Sequence, residues 1–106
     1  MHSPSQMPTS FYEKLANPLG LAVMDLVDYY GKGLIITRIN VPVAHRKQGI
    51  ANRLLRECLV EADRTRTTLW LEILSSGEMS YTDLYDWYSR HGFRDVGGIM
   101  RRRPKK

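Results

Sequence analysis

The sequence predicts a single α/β domain in which a mixed β-sheet packs against two main helices. At 106 residues the chain is too short to build two independent cores. A buried strand, an amphipathic helix of about 16 residues and a second buried strand follow one another, which is the order of a parallel βαβ unit. Hairpin patterns stand before and after this unit, and the strands of a hairpin are antiparallel. The predicted sheet therefore contains both kinds of pair.

The first forty residues predict a lead-in followed by strands. Met1–Ser10 contains two prolines and three serines but no Lys or Arg, so we expect a flexible lead-in. Phe11–Leu15 predicts a short strand. Leu21–Tyr30 has strand composition with one polar face, and Leu34–Val41 is β-branched and apolar. Because Gly31-Lys32-Gly33 lies between them, these two strands are predicted to form a hairpin.

The βαβ unit continues with a change of hydrophobic period. From Gln48 onwards the apolar residues recur at helical spacing and form one continuous stripe, which predicts an amphipathic helix. The residues of this stripe are Ile50, Ala51, Leu54, Leu55, Cys58, Leu59 and Ala62. Thr68–Leu74 is the next predicted strand, and it is expected to run parallel to Leu34–Val41.

The last third of the chain predicts a second helix and a closing hairpin. Ser80 and Asp83 have the spacing of a capping box, and Gly92 suits the position just after a helix end. Phe93–Val96 and Ile99–Arg102 are two short strands separated by a glycine pair. No internal repeat or linker interrupts this order.

The net charge of +5 is concentrated at the C-terminus. Five of the 16 basic residues lie among the last six, and the rest of the chain has equal numbers of basic and acidic groups. We expect residues 104–106 to be a basic tail, with a weak contact to nucleic acid or an acidic partner as its possible role. No apolar run reaches the roughly 18 residues that a membrane span needs. The lone Cys58 allows no internal disulfide and fits a reducing cytoplasm.

The stretch that carries chemistry is the junction between the first buried strand and its helix. The strand ends at Pro42, Arg46 and Lys47 follow in the loop, and Gly49 opens the helix. The first amides of a helix have no partner within it, and a glycine lets a phosphate approach them closely. The pattern favours an anion site; the alternative is a helix start with solvated basic residues. It is neither a Walker P-loop nor a Rossmann fingerprint.

Two motifs resemble a known family. Arg46-Lys47-Gln48-Gly49-Ile50-Ala51 is similar to the Arg/Gln-x-x-Gly-x-Gly/Ala signature of the GNAT (GCN5-related) N-acetyltransferases, and Tyr88-Ser89-Arg90-His91-Gly92-Phe93 resembles their Tyr-x-x-x-Gly-Phe element. The resemblance covers about residues 34–102 and implies one GNAT-like domain over residues 11–103. Only 33 residues precede Leu34, too few for the two helices that the family places there. The chain therefore resembles a domain truncated at its N-terminus, like the very small members encoded by phages.

The resemblance implies acetyl-CoA as the cofactor and assigns its contacts. The pyrophosphate is expected on the amides at the helix start, beside two basic side chains, and the pantetheine on the end of the preceding strand. The backbone N–H of Asn40 is expected near the developing oxyanion. The implied cofactor-binding residues are Ile39, Asn40, Val41, Arg46, Lys47, Gln48, Gly49, Ile50, Ala51 and Asn52. No metal is expected, because the His and Cys residues lack the spacing of ligands.

Two side chains are candidates for proton transfer. Tyr88 matches the family tyrosine that donates a proton to the departing thiolate, and a phenol is protonated at neutral pH. The alternative is that Tyr88 packs in the core beside Trp87 and Phe93. Glu72 is the only carboxylate in the second buried strand, so it is the candidate base acting through water. An outward-facing Glu72 with no catalytic part is the equally weighted alternative.

The sequence leaves the acceptor open. The resemblance implies direct attack by a primary amine in a ternary complex, with a protein lysine or N-terminus as the favoured acceptor. An aminated nucleic-acid base and a small amine are the alternatives within the same chemistry. A different class, a non-catalytic basic module that binds nucleic acid or an acidic protein, is the competing hypothesis. Exposed sheet edges also make a homodimer possible.

Overall fold

The computed structural model describes residues 7–14, 21–40, 49–74 and 79–105. Their elements are β1 (Ser10–Lys14), β2 (Leu21–Asp28), β3 (Leu34–Asn40), α1 (Ile50–Thr65), β4 (Leu69–Leu71), α2 (Tyr81–Arg90), β5 (Arg94–Asp95) and β6 (Met100–Arg102). The strands form one sheet in the order β1-β2-β3-β4-β6-β5. Only β3 and β4 pair in parallel, and the other neighbours are antiparallel. The predicted mixed sheet with two main helices is confirmed.

The hairpin of β2 and β3 contains an irregularity that matters for the site. Asp25 pairs with Arg38 and Leu26 pairs with Ile36, so Thr37 is an extra residue on β3. The Thr37 hydroxyl donates to the carbonyl oxygen of Asp25 at 3.1 Å. A bulge of this kind bends the strand that carries it and increases its twist. β3 therefore changes direction after its first three residues.

Both helices contribute to one core on one side of the sheet, here called the helix face. α1 buries the predicted stripe, with Ile50, Leu54, Leu55, Cys58 and Ala62 all at or below 2 % exposure. Alternate residues of the strands complete this core, and the α2 side chains Leu84, Tyr85, Trp87 and Tyr88 pack against it. The stripe predicted for the first helix is confirmed, because the strands bury the residues that its spacing had aligned.

The other side of the sheet, here called the open face, is formed by the intervening residues of each strand. Alternation along a strand places them opposite the core. Large apolar side chains remain exposed on it, Leu74 at 71 %, Tyr12 at 62 % and Val27 at 50 %. Among the residues that the structure describes, no helix packs there, and those that precede Leu34 form strands only.

Residues 7–10, which belong to the predicted lead-in, contact the rest of the domain in the structure, and the flexibility of residues 1–10 stays a prediction. The side chain of Met7 is 8 % exposed and belongs to the core cluster, and the hydroxyl of Thr65 lies 3.7 Å from its sulfur. The amide of Leu26 donates to the carbonyl oxygen of Thr9 at 2.9 Å, and Ser10 begins β1.

The strand boundaries differ from prediction at two further places. The second strand ends at Asp28, because Tyr29 turns away towards Gly33 and donates its amide to the Gly33 carbonyl at 2.8 Å. The strand predicted over Thr68–Leu74 pairs only over Leu69–Leu71, since its neighbours no longer accompany it beyond that point. None of the described helices is long and apolar enough to cross a membrane.

The C-terminal residues are held by the body of the protein. Arg102, the last residue of β6, is 3 % exposed and donates through both terminal nitrogens to the Asp63 carboxylate at 2.9 and 3.1 Å. The backbone amide of Lys105 also donates to Asp63, at 2.8 Å. Part of the predicted basic tail is therefore anchored to α1 through its backbone.

Candidate active site

The parallel strands β3 and β4 share only a short stretch of ladder. Leu34 pairs with Leu69 and Ile35 pairs with Trp70, and no further pair follows although β3 continues to Asn40. The bulge at Thr37 comes directly after the last shared pair. The two strands therefore separate towards their carboxyl ends and leave a wedge in the middle of the sheet. Among the described strands, Ile39 and Asn40 pair with β2 only.

The N-terminus of α1 follows β3 along the chain. Gly49 caps the helix in the left-handed conformation, with φ 75° and ψ 11°, which only glycine adopts without strain. Its carbonyl oxygen accepts the first helical bond, from the amide of Arg53 at 3.0 Å. In the described part of the chain no side chain caps the helix, and no acidic residue lies in its first turn. The amides of Ile50, Ala51 and Asn52 have no partner within the helix and lie at the positive end of the helix dipole.

Arg53 adds a cation at this helix start that the sequence interpretation missed. A Cβ atom built on Gly49 would lie 3.7 Å from Nη1 of Arg53. The guanidinium is held by Glu13 of β1, with Nε and Nη2 donating to its carboxylate at 3.0 and 2.7 Å. The helical spacing assigned Arg53 to the polar side of α1 but contained no signal that a strand 40 residues earlier would orient it beside Gly49.

The first turn of α1 is tied to α2. Nε1 of Trp87 donates to the side-chain oxygen of Asn52 at 2.6 Å. Ile50 is 2 % exposed, so its side chain lies in the core while its backbone lies at the helix start. The predicted cofactor-binding residues Gly49–Asn52 are thus brought together by the structure. Val41, Arg46, Lys47 and Gln48 lie outside the described residues.

Tyr88 is positioned by the way α2 ends. The amide of Phe93 donates to the carbonyl of Tyr88 at 3.2 Å, and the amide of Gly92 donates to that of Ser89 at 3.1 Å. These two bonds form a Schellman motif, in which Gly92 takes the left-handed conformation with φ 94°. The hydrophobic contact that accompanies the motif joins the rings of Tyr88 and Phe93, 5.6 Å apart. The spacing Tyr-x-x-x-Gly-Phe is therefore a helix stop that orients the tyrosine.

The surroundings of Tyr88 set the state of its phenol. The ring is half-buried and also contacts Trp87, with the two ring centroids 4.8 Å apart. Burial raises the pKa of Tyr88 to about 12 because it disfavours the phenolate. The phenol is therefore protonated over the whole physiological range. Tyr88 packs against the core, as one interpretation of the sequence held, and its part as a proton donor stays a prediction.

Glu72 lies on the other side of the sheet from Tyr88. It directly follows β4, and its neighbours Leu71 and Ile73 are buried in the core at 2 % and 9 % exposure. Glu72 is exposed and, by alternation, projects from the open face, whereas Tyr88 packs on the helix face. The structure therefore does not bring the two candidate residues into contact. They lie on opposite sides of the separating strands.

No other cluster in the described part of the chain suggests a different chemistry. Groups of three or more His, Cys, Asp or Glu that would hold a metal ion are absent there. Cys58 is buried in the core and its burial raises the pKa of the thiol to about 12, so it is not a nucleophile.

Solved structures share this fold. No protein-family model and no curated protein sequence matches the chain. The ribosomal-protein-S18-alanine N-acetyltransferase from Escherichia coli superposes with a TM-score of 0.70 over 96% of this chain and 74% of its own, at 18% identity. An aminoglycoside 6'-N-acetyltransferase complexed with coenzyme A gives 0.64 over 93% and 76%, at 17% identity.

The chain has the GNAT fold. The anti-CRISPR protein AcrVA5 is similar in size as well, because the match covers 89% of this chain and 98% of that one, with a TM-score of 0.60 at 21% identity. The GNAT fold that the two sequence motifs predicted is therefore confirmed. All these identities lie below the level at which a shared fold carries a shared substrate. Phage origin stays a prediction.

Proposed function

We propose that the chain is an N-acetyltransferase that transfers the acetyl group of acetyl-CoA to a primary amine. The observation that carries the proposal is the separation of β3 and β4 after their last shared pair, together with the glycine-capped start of the helix that follows β3 along the chain. The GNAT fold supports it, since solved structures with this fold include acetyltransferases and one of them holds coenzyme A.

The described residues fit the cofactor at its most demanding point. A pyrophosphate needs several converging N–H donors, and the first turn of α1 offers its amides with no acidic residue among them. Gly49 has no side chain to block the approach, and the Arg53 guanidinium lies beside it. Arg46, Lys47 and Gln48, by their place in the motif, would add contacts there. Ile39, Asn40 and Val41 would offer backbone groups to the pantetheine.

Acetyl-CoA, when bound, supplies the acetyl group as a reactive thioester. In the proposed ternary complex the amine attacks directly, so the chain must orient two substrates and manage two protons. Tyr88 would give a proton to the leaving sulfur from the helix face. Glu72 would accept the proton of the incoming ammonium through water from the open face. In this proposal the acid lies on one side of the wedge and the base on the other. The thiol would then leave on the helix face, and the amine would enter from the open face.

The acceptor proposed is a protein amine, from a lysine or an N-terminus. In the described residues both helices lie on the helix face, so the side of Glu72 is uncovered and leaves room for a bulky acceptor. An aminated nucleic-acid base or a small amine remains the alternative acceptor. The single buried cysteine agrees with the proposed cytoplasmic setting.

Calorimetry with acetyl-CoA tests the proposal. We expect saturable binding to the unmodified protein, and loss of binding in Gly49→Glu, which places a negative charge at the helix start and strains the left-handed backbone. Gly97→Glu is the matched control, because Gly97 also has a positive φ, 71°, and lies in open space in the last hairpin. Absence of binding to the unmodified protein at about 1 mM cofactor, a concentration at the weak end of ordinary substrate affinities, would refute the enzyme assignment.

A further inference from the structure

The open face carries an aromatic platform at the end of the sheet remote from the opening of the wedge. The platform is formed by Tyr29, Tyr30 and Trp70. The ring of Tyr29 lies 4.8 Å from that of Trp70 and 5.0 Å from that of Tyr30. Tyr30 is 84 % exposed, the highest value for any large hydrophobic residue described. Three contiguous rings thus end in one that is presented almost entirely to solvent.

The platform is held rigidly. Nε1 of Trp70 donates to the carbonyl oxygen of Lys32 at 3.0 Å, so the turn between β2 and β3 is fixed against β4. Within that turn Tyr30 adopts the left-handed conformation, with φ 52°. This conformation is strained for a bulky residue, whose Cβ atom lies too close to the following carbonyl oxygen. Asparagine or glycine would fit it better, so the stability of the turn does not explain a tyrosine there.

Two arginines extend the platform across the sheet. Arg94 of β5 and Arg101 of β6 are directly opposite partners in the ladder, and Arg101 is in turn the partner of Trp70. The guanidinium carbon of Arg101 lies 5.9 Å from the centre of the Trp70 ring. Like charges opposite each other in a sheet repel. In the part of the chain that the structure describes, neither arginine forms an ion pair that would relieve this repulsion.

The acidic residues of the open face do not neutralise the pair. Asp25 is engaged by Arg38, whose Nη2 lies 2.6 Å from its carboxylate. Glu72 follows two residues after Trp70, beyond the last pair between β4 and β6, and forms no ion pair with either arginine among the described residues. The row Arg94–Arg101–Trp70 with Tyr29 and Tyr30 beside it is therefore a rigid surface that combines stacking rings with unneutralised positive charge.

We propose that this surface binds single-stranded nucleic acid, with bases stacked on Tyr30 and Trp70 and phosphates on Arg94 and Arg101. Exposed aromatic rings attract unpaired bases, and paired arginines attract the phosphates that link them. In a duplex the faces of the bases are covered by their neighbours, and an acidic peptide has no bases. Neither ligand would therefore stack a base on the ring of Tyr30. The proposal is independent of acetyl transfer, because none of these four residues belongs to the proposed active site.

Fluorescence anisotropy with labelled oligonucleotides of about 12 nucleotides, the range of such sites, tests the proposal without acetyl-CoA. We expect oligo-dT or oligo-U to bind at low salt. Tyr30→Asn removes the ring but suits the left-handed backbone, and it should weaken binding about tenfold, the scale of one stacked base. Tyr81→Asn, which removes a half-exposed tyrosine on α2, is the control and should leave binding unchanged.

The charge contribution is measured by the salt dependence. Arg94→Gln and Arg101→Gln should each reduce the slope of log K against log salt by about 0.7, the value for one phosphate contact on a single strand. Arg56→Gln, an exposed arginine on α1, is the matched control and should not change the slope.

Several results would overturn the proposal. The first is that single strands do not bind at about 50 mM salt, a low concentration that favours electrostatic binding. The second is that a duplex binds as tightly as a single strand, and the third is that Tyr30→Asn leaves the binding unchanged. Tighter binding of a poly-glutamate peptide would assign the surface to an acidic protein instead. A dimer of the unmodified protein that Tyr30→Asn converts to monomer would assign it to a second copy of the chain.

Discussion

Replacing Asp63 by asparagine should destabilise the protein strongly, although Asp63 lies far from the proposed chemistry. Arg102 is 3 % exposed, and each of its three guanidinium nitrogens donates a hydrogen bond, two to the Asp63 carboxylate oxygens and one to the carbonyl oxygen of His91 at 3.0 Å. Asp63→Asn preserves the shape of the side chain and removes its charge. A buried guanidinium would then face an amide, with only one backbone acceptor left in its original place.

The size of the effect follows from the burial of the pair. Breaking a buried ion pair by removing one partner costs about 3–5 kcal/mol. The Asp63 side chain is 31% exposed, so water can reach the site, and we expect the lower end, about 3 kcal/mol. For a domain of this size that corresponds to a fall in Tm of about 10–20 °C.

Chemical denaturation followed by circular dichroism measures this change, and two controls separate its causes. Glu61→Gln breaks an exposed pair with Arg64 on the same helix and should cost less than about 1 kcal/mol. The double variant Asp63→Leu/Arg102→Met replaces both partners by apolar groups and should recover most of the loss. If Asp63→Asn costs no more than Glu61→Gln, the reasoning from burial is refuted.

The same pair makes stability depend on pH. The hydrogen bonds from Arg102, followed by that from the Lys105 amide, hold the pKa of Asp63 below its ordinary value, against the opposing effect of burial. As the pH is lowered, Asp63 therefore takes up a proton at a higher pH in the unfolded chain than in the folded chain. The contribution of Asp63 is fully present above the pKa of the unfolded state and is lost as the pH falls through that of the folded state. The free energy of unfolding of Asp63→Asn should therefore fall less on acidification than that of the unmodified protein.

Three further predictions concern single residues. Tyr88→Phe should retain acetyl-CoA binding and lower kcat by about a hundredfold or more, measured by release of free thiol, and an unchanged kcat would remove Tyr88 as the acid. Cys58 should resist iodoacetamide at pH 8 until the protein unfolds, and rapid labelling of the native protein would contradict its burial. Gly33→Ala should lower the melting temperature far more than Gly31→Ala, because only the alanine at position 33 places a Cβ atom against the Thr68 carbonyl. Equal melting temperatures of the two variants would refute this.

Local patterns predicted the elements that are decided by local physics. The apolar spacing from Ile50 to Ala62 marked the stripe of α1 because a helix repeats its faces at a constant interval. Ser80 caps α2 as its spacing with Asp83 indicated, accepting the Asp83 amide at 3.1 Å. Gly92 ends α2, because a residue without a side chain takes the left-handed conformation there. In each case the deciding contacts lie within a few residues of one another.

Contacts between distant residues escaped prediction for the corresponding reason. Asn52 meets Trp87 across 35 residues, and Arg53 meets Glu13 across 40. The pairing of β4 ends at Leu71, although the residues up to Leu74 have the composition of a strand. The bulge on β3 bends that strand, so β3 no longer runs beside β4 there. No local pattern contains the position of a partner that another segment supplies.

The sequence by itself determined that the chain is a small mixed α/β domain, where its helices run and which motifs it carries. Only the tertiary structure decided what each strand residue does, and the basic C-terminus is the clearest case. Arg101 and Arg102 are adjacent and chemically identical, yet one lies over Trp70 on the open face and the other is buried against Asp63. Successive side chains of a strand point to opposite faces, and which face is buried depends on where the helices pack.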